Sequence, residues 1–178
     1  SGTQYVDTGI AFSADNYNKV KFSVEMESAN ASGTYEVNGT GTSGSNCFYI
    51  GNYNGTVVYG HGTNDASTGK THQTGRCKYT IDAKNGIVSA DGIADVSFTP
   101  RSPSGSVNLR VCGFGRTNGT ATGFSGKFYA AQIYDNGTLV RDFVPCINAS
   151  GEVGLYDLVT KAFFGNAGTG TFIGSEVA

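Results

Sequence analysis

The chain has 178 residues, enough for one domain with a packed core, and 12% of them are aromatic. Its 27 glycines accompany only 3 prolines, so the composition stays outside the disordered, low-complexity range. The net charge is −2 and no run of Lys or Arg occurs, which argues against nucleic-acid binding. No run of about 18 apolar residues occurs, which argues against a membrane-spanning helix.

Alternation with a period of two predicts the first strands. We expect strands over Tyr5–Ile10 and Lys19–Glu27; the second has one polar face and one apolar face, formed by Val20, Phe22, Val24 and Met26. A short strand at residues 35–37 and a flexible loop through residue 46 follow, because the stretch is rich in Gly, Thr and Ser.

Asn54-Gly55 predicts a β-hairpin, because this dipeptide tolerates the positive φ angles of a two-residue turn. The register then pairs Tyr53 with Thr56, Gly51 with Val58 and Tyr49 with Gly60. The opposite face is more apolar and is expected to face the core; it holds Phe48, Ile50, Asn52, Val57, Tyr59 and His61.

A second such hairpin is centred on Asn136-Gly137. A regular register pairs Asp135 with Thr138, Tyr134 with Leu139, Ile133 with Val140 and Ala130 with Phe143. Neither face is plainly polar, so this hairpin is expected to be covered on both sides.

Residues 62–75 predict a polar loop, and the other apolar runs predict short strands over residues 78–82, 87–89, 96–99, 107–114, 153–156 and 162–164. Residues 153–164 could instead hold a short helix. This density of turns predicts an all-β antiparallel sandwich, a jelly roll of roughly 11 to 14 strands.

The four cysteines Cys47, Cys77, Cys112 and Cys146 are widely spaced and contain no CxxC pair, which argues against zinc. Each lies in or beside a predicted strand. Buried thiols and one or two disulfides both remain open at this point.

The stretch KFYAAQIYDNGTLVRDFVPCINASGEVGLYDLVTKAFFGNAGTGTF resembles the C-terminal part of concanavalin A-like (laminin-G-like) jelly-roll modules, and YVDTGIAFSADNYNKVKFSVEME resembles their first strands. Such modules occur in phage and prophage tail or structural proteins and in surface proteins of gut Gram-positive bacteria. The resemblance implies one lectin-like domain over residues 1–178. Because the sequence begins directly on a predicted strand, we expect a fragment of a larger protein or a mature form. It identifies a fold better than an activity.

The Tyr49/Tyr53 face is the first candidate for ligand binding. The two rings would lie about 13 Å apart on one strand, with glycines leaving an open floor on which sugar rings could stack. The adjacent predicted loop supplies Asn64, Asp65, His72 and Gln73 for hydrogen bonds to hydroxyl groups.

Two further constellations are weaker. Glu25 and Glu27 share one strand face at a Cα spacing of about 6.6 Å, and paired carboxylates are what glycoside hydrolysis requires. A Ca²⁺ site at the sandwich rim is implied by the resemblance, with Asp91 and Asp95 as the best-spaced oxygen ligands and Asn64 with Asp65 second. We otherwise expect no cofactor.

These observations favour a non-catalytic module that binds carbohydrate or a surface glycan. By resemblance it would serve adhesion or receptor binding on a virion tail or a cell surface, and a homo-oligomer could form through the parent protein. The alternatives are a purely structural packing module and a glycoside hydrolase that uses Glu25 and Glu27.

Overall fold

The computed structural model of the chain describes residues 4–28, 35–42, 46–62, 64–103, 107–115, 121–123 and 125–174. Within these ranges the chain forms strands and turns and no helix, which confirms the all-β prediction. The strands are β1 (Val6–Phe12), β2 (Val20–Ser28), β3 (Tyr35–Thr42), β4 (Asn46–Tyr53), β5 (Thr56–Gly62), β6 (Asn64–Thr71), β7 (Arg76–Asp82), β8 (Ile87–Ala90), β9 (Val96–Ser97), β10 (Val107–Val111), β11 (Gly113–Gly115), β12 (Ala121–Gly123), β13 (Gly126–Asp135), β14 (Thr138–Ile147), β15 (Val153–Asp157) and β16 (Ala162–Phe164).

Two large sheets form a jelly-roll-like sandwich. One has eight strands in the order β16-β15-β14-β13-β2-β7-β8-β9, the other has six in the order β12-β11-β3-β4-β5-β6, and β1 pairs separately with β10. Paired strands run antiparallel, apart from β11, which runs parallel to β3. The predicted antiparallel sandwich is therefore confirmed.

The core lies between the sheets and is built on the predicted alternation of β2. Its inward residues Val20, Phe22, Val24 and Met26 are fully buried. The Phe22 ring stacks on Phe48 of the six-stranded sheet at 6.4 Å between centroids, and Phe48 stacks on Phe12 of β1 at 4.5 Å. Burial of each large apolar side chain contributes about 1.5–3 kcal/mol.

The β4–β5 hairpin has the predicted register and turn. Asn54 and Gly55 have φ angles of 52° and 78°, as a type I′ turn requires. The predicted core face of this hairpin is buried throughout. Most of its second face is buried as well, so this hairpin, in the middle of its sheet, is the one covered on both sides.

The β13–β14 hairpin keeps its predicted turn, but its register is wrong beyond Tyr134. Ile133 pairs with Arg141 rather than Val140, and Phe143 pairs with Ala131 rather than Ala130. The cause is a bulge in which Val140 is the extra residue. The prediction that both faces are covered is also wrong: Ala131, Ile133 and Phe143 face the core, whereas the other face is half-buried.

Two polar stretches predicted as loops are strands. Residues 39–42 continue β3, and residues 64–71 form β6 at the edge of the six-stranded sheet. In β3 the glycines reflect close packing, since a Cβ on Gly39 would lie 2.1 Å from the carbonyl oxygen of Phe48. In β6 the polar composition suits an edge strand.

The strand predicted over residues 107–114 is broken at Cys112, whose φ is 61°. The chain leaves β10, which pairs with β1, and enters β11, which pairs with β3. Buried Asn38 stabilises this break, because its Oδ1 accepts the Cys112 N–H at 2.7 Å. Residues 153–164 form β15, a turn and β16 rather than a helix.

All four cysteines lie within the described residues, and none forms a disulfide. Cys47, Cys77 and Cys112 are buried, and Cys146 is half-buried. Of the two alternatives left open by the sequence, reduced thiols are found.

The first and last described segments are joined by hydrogen bonds. Asn166 Oδ1 accepts the Tyr5 N–H at 3.2 Å, Ala167 N donates to the Tyr5 carbonyl at 2.9 Å, and Gln4 Nε2 donates to the Thr171 carbonyl at 3.0 Å. The two ends of the described chain therefore lie side by side.

Asp157 organises the turn between β15 and β16 from a fully buried position. Its Oδ1 accepts the N–H groups of Asp142 at 2.9 Å and Val159 at 3.1 Å, and its Oδ2 accepts the Thr160 hydroxyl at 2.6 Å. Arg141 Nε lies 3.7 Å from Oδ2 and donates to the Thr8 carbonyl at 3.0 Å. Burial alone would raise the pKa of Asp157, but these hydrogen bonds lower it overall.

Asp157→Asn is expected to lower the free energy of unfolding by about 2–4 kcal/mol, because one oxygen acceptor becomes a donor facing other donors. Chemical denaturation at neutral pH measures the loss. Asp95→Asn, at an exposed carboxylate, is the matched control and should change stability by less than about 0.5 kcal/mol. Equal effects of the two substitutions would contradict this role.

Candidate functional site

The predicted aromatic face on β4 is closed at one of its two tyrosines. Tyr49 is only 4% exposed, and Phe114 packs edge-on against its ring at 5.3 Å between centroids. A Cβ on Gly60 would lie 2.3 Å from Tyr49 Cε1, so the glycine accommodates the tyrosine ring instead of leaving an open floor. Tyr53, beside the turn, is 37% exposed.

The predicted loop residues are also placed differently. His72 is buried: its backbone N–H donates to the Gly55 carbonyl at 3.0 Å, and its Nδ1 lies 3.4 Å from the Tyr79 hydroxyl. Asn64 and Asp65 belong to β6 opposite His61 and Gly60, and their side chains lie outside the described residues. Of the predicted ligand contacts whose side chains are described, Tyr53 and Gln73 are exposed.

Glu25 and Glu27 lie on the polar face of β2, as predicted, but both are ion-paired. Arg76 Nε lies 2.5 Å from Glu25 Oε1, and Lys127 Nζ lies 3.2 Å from Glu27 Oε1. The Arg76 hydrogen bond lowers the pKa of Glu25, and hydrogen bonds from Lys127 and Tyr129 lower the pKa of Glu27. An acid catalyst of glycoside hydrolysis needs a raised pKa instead.

Of the predicted calcium ligands, Asp91 and Asp95 have described side chains. Asp91 Oδ2 accepts the Lys78 N–H at 2.8 Å, and Asp95 is exposed. In the part of the chain that the structure describes, no three His, Cys, Asp or Glu side chains come together as a metal site. None of the described residues belongs to a helix that could cross a bilayer.

The outer face of the eight-stranded sheet carries a different constellation, at the surface of the β13–β14 hairpin. We define this outer face by the half-buried residues Tyr129, Ala130, Gln132 and Tyr134 of β13, Asp142 and Val144 of β14, and Tyr156 of β15. Their chain neighbours Ala131, Ile133, Phe143 and Leu155 are buried on the core side.

A second bulge shapes this face at Tyr129. Phe128 pairs with Met26 and Ala130 with Glu25, so Tyr129 is an extra residue opposite β2. Its hydroxyl donates to Glu27 Oε2 at 3.0 Å, and the Arg76 guanidinium stacks over its ring at 4.4 Å. Two ion pairs thus hold the tyrosine in place.

The strands separate beside this bulge. The β13–β14 pairing ends at Ala131 with Phe143, whereas pairing between β13 and β2 continues to Gly126 with Ser28. Ala130 and Val144 lie one residue beyond that last pair, and Val144 pairs with Tyr156. The register therefore places Ala130, Val144 and Tyr156 next to one another on the outer face, and we call these three residues the apolar floor.

Hydrogen-bonding groups flank this floor. Gln132 Nε2 donates to Asp142 Oδ1 at 3.2 Å, and the Tyr134 hydroxyl donates to Gln132 Oε1 at 3.4 Å. Lys21 Nζ lies 5.9 Å from the Tyr134 ring centroid. The outer face therefore combines aromatic rings, a small apolar floor and paired polar side chains.

No protein-family model matches the chain, and no curated protein or solved structure matches it either. The functional argument therefore depends on the geometry of the described residues.

His61, on the core face of β5, ties two loops to the sandwich. Its ring is fully buried against Phe12 and Phe98, at 5.5 and 5.2 Å between centroids. Nδ1 accepts the Arg101 N–H at 3.1 Å, so Nε2 carries the proton and donates to the Tyr17 carbonyl at 2.6 Å. Burial lowers the pKa of His61 despite these backbone contacts.

Stability is expected to fall as the pH drops below about 6.5, the ordinary histidine pKa. The unfolded chain binds the proton first, so the contribution of neutral His61 is present above that pH and is lost towards the lower folded-state pKa. Denaturant unfolding between pH 7.5 and 5 should show a slope approaching ~1.4 kcal/mol per pH unit.

Two variants test whether His61 causes this pH dependence of stability. His72→Gln should retain it, and His61→Gln should flatten it. An unchanged slope in folded His61→Gln, or no slope in the unsubstituted protein, would contradict the assignment to His61.

Proposed function

We propose that this chain is a non-catalytic carbohydrate-binding module, and that it binds through the outer face of the eight-stranded sheet. The observation that carries this proposal is the floor of Ala130, Val144 and Tyr156 beside the Gln132–Asp142 pair. Sugar rings have an apolar C–H face that packs on aromatic rings and hydroxyl groups that hydrogen-bond to amides and carboxylates.

The ion pairs around Tyr129 support the same proposal. Glu27 holds the hydroxyl and Arg76 holds the ring, so the side chain is ordered before a ligand arrives. Preorganisation reduces the entropic cost of binding. The shallow surface favours weak binding at each site, which several copies on one assembly would strengthen.

The resemblance to concanavalin A-like modules supports an adhesive or receptor-binding role. It favours a location on a virion tail or on a bacterial cell surface, within a larger protein. The carboxylates Glu25 and Glu27 are hydrogen-bonded to cations and have lowered pKa values, which favours binding over hydrolysis.

A second candidate, a structural packing module, is favoured by one observation. At the end of the β14–β15 hairpin, Ile147 is 63% exposed and pairs with half-buried Val153. Ile173, in the segment that follows β16, is 94% exposed. Exposed aliphatic side chains of this kind are suited to contact with a neighbouring subunit.

Tyr156→Ala is expected to weaken glycan binding about tenfold or more, because it removes the aromatic ring of the floor. A glycan array on the folded protein identifies ligands, and calorimetry measures their affinities. Tyr53→Ala, at an exposed tyrosine outside the outer face, is the matched control and should bind normally. Loss of binding in Tyr53→Ala with normal binding in Tyr156→Ala would place the ligand elsewhere.

If the packing role holds, Ile147→Ser should shift an oligomer of the parent protein towards monomer, since it removes exposed apolar area from the contact. Light scattering after size-exclusion chromatography measures the mass. Thr160→Ser is a control at the opposite end of β15. A monomeric parent protein at high concentration would count against this candidate.

A further inference from the structure

The Gln132–Asp142 pair presents a hydrogen-bond donor and acceptors side by side on neighbouring strands of the outer face. The two residues are directly paired across β13 and β14, and their side chains meet at 3.2 Å. Both lie next to the apolar floor of Ala130, Val144 and Tyr156. A sugar ring on that floor would present adjacent hydroxyl groups to this pair.

The charge of Asp142 is not matched by a described cation at close range. Its described side-chain partner is the neutral amide of Gln132. The side chain of the adjacent Arg141 lies on the other side of the sheet, where it donates to the Thr8 carbonyl of β1. Lys78 is three strands away, about 14 Å, which exceeds the screening length of about 10 Å at 0.1 M salt.

Two other cations of this face are ion-paired. Arg76 pairs with Glu25 and Lys127 pairs with Glu27, both on β2. A third, Lys21, lies over the Tyr134 ring at 5.9 Å, on the side of the Gln132–Asp142 pair that is away from the floor. An acidic sugar on the floor would therefore bring a second negative charge towards Asp142 without gaining an adjacent free cation from these pairs. A neutral sugar would use the carboxylate as a strong acceptor.

We propose that Gln132 and Asp142 determine specificity, and that the site selects neutral saccharides through two adjacent hydroxyl groups while rejecting acidic ones. This inference rests on the proposed function. Asp142 accepts from one hydroxyl, and the Gln132 amide bonds to its neighbour. Attraction to the first and charge repulsion against a carboxylate or sulfate both contribute to the selection.

The test compares neutral oligosaccharides with uronate-containing and sulfated ones on an array, followed by calorimetry at low and moderate salt. The unsubstituted protein should bind neutral glycans with an affinity that depends little on salt concentration. Asp142→Asn should weaken neutral binding about tenfold and reduce discrimination against acidic glycans. Asp95→Asn removes an exposed carboxylate elsewhere and should change neither property.

Asp142→Asn preserves side-chain size and the backbone N–H that donates to Asp157. If it does not fold, Gln132→Leu tests the same pair and should also weaken neutral binding. Preferential binding of acidic glycans by the parent protein would overturn the selectivity while leaving the proposed function intact. Unchanged affinity and discrimination in these variants would also overturn the proposed role of Gln132 and Asp142 in selectivity. A folded, unsubstituted protein that binds no glycan would overturn the proposed function itself.

Discussion

The central strand of the eight-stranded sheet constrains both the core and the outer face. β2 buries Phe22 and Met26 on one side and presents Glu25 and Glu27 on the other. A slip of one residue would exchange these two faces, which would put carboxylates in the core and aromatic and thioether groups in water. The burial of the inner face therefore fixes the position of the ion pairs that hold Tyr129.

The two Asn-Gly turns could be predicted from the local sequence, because the backbone conformation of a tight turn depends on the turn residues themselves. Asn54-Gly55 predicted its turn and register because positive φ angles at both positions leave one type of hairpin. The same dipeptide at Asn136 predicted its turn, but the register failed after Tyr134. Val140 is an extra residue, and nothing in its side chain distinguishes a bulged valine from a paired one.

The candidate site was harder to predict, because tertiary neighbours decide which side chains are open. Tyr49 alternates correctly, but Phe114, distant in sequence, covers it. Tyr129 and Tyr134 are five residues apart and would lie on opposite faces of a regular strand. The bulge at Tyr129 brings both to the outer face, so their shared location could not be derived from alternation.

The hydrogen bonds between residues 4–5 and 166–171 have a mechanical consequence. Because the two ends of the described chain are fastened to each other, tension applied to both would load these bonds before it reached the paired strands of the sandwich. The outermost of these bonds, from Gln4 Nε2 to the Thr171 carbonyl, would be loaded first. Because residues 4–5 and 166–171 lie outside the strands, the sheets would stay paired after these bonds broke.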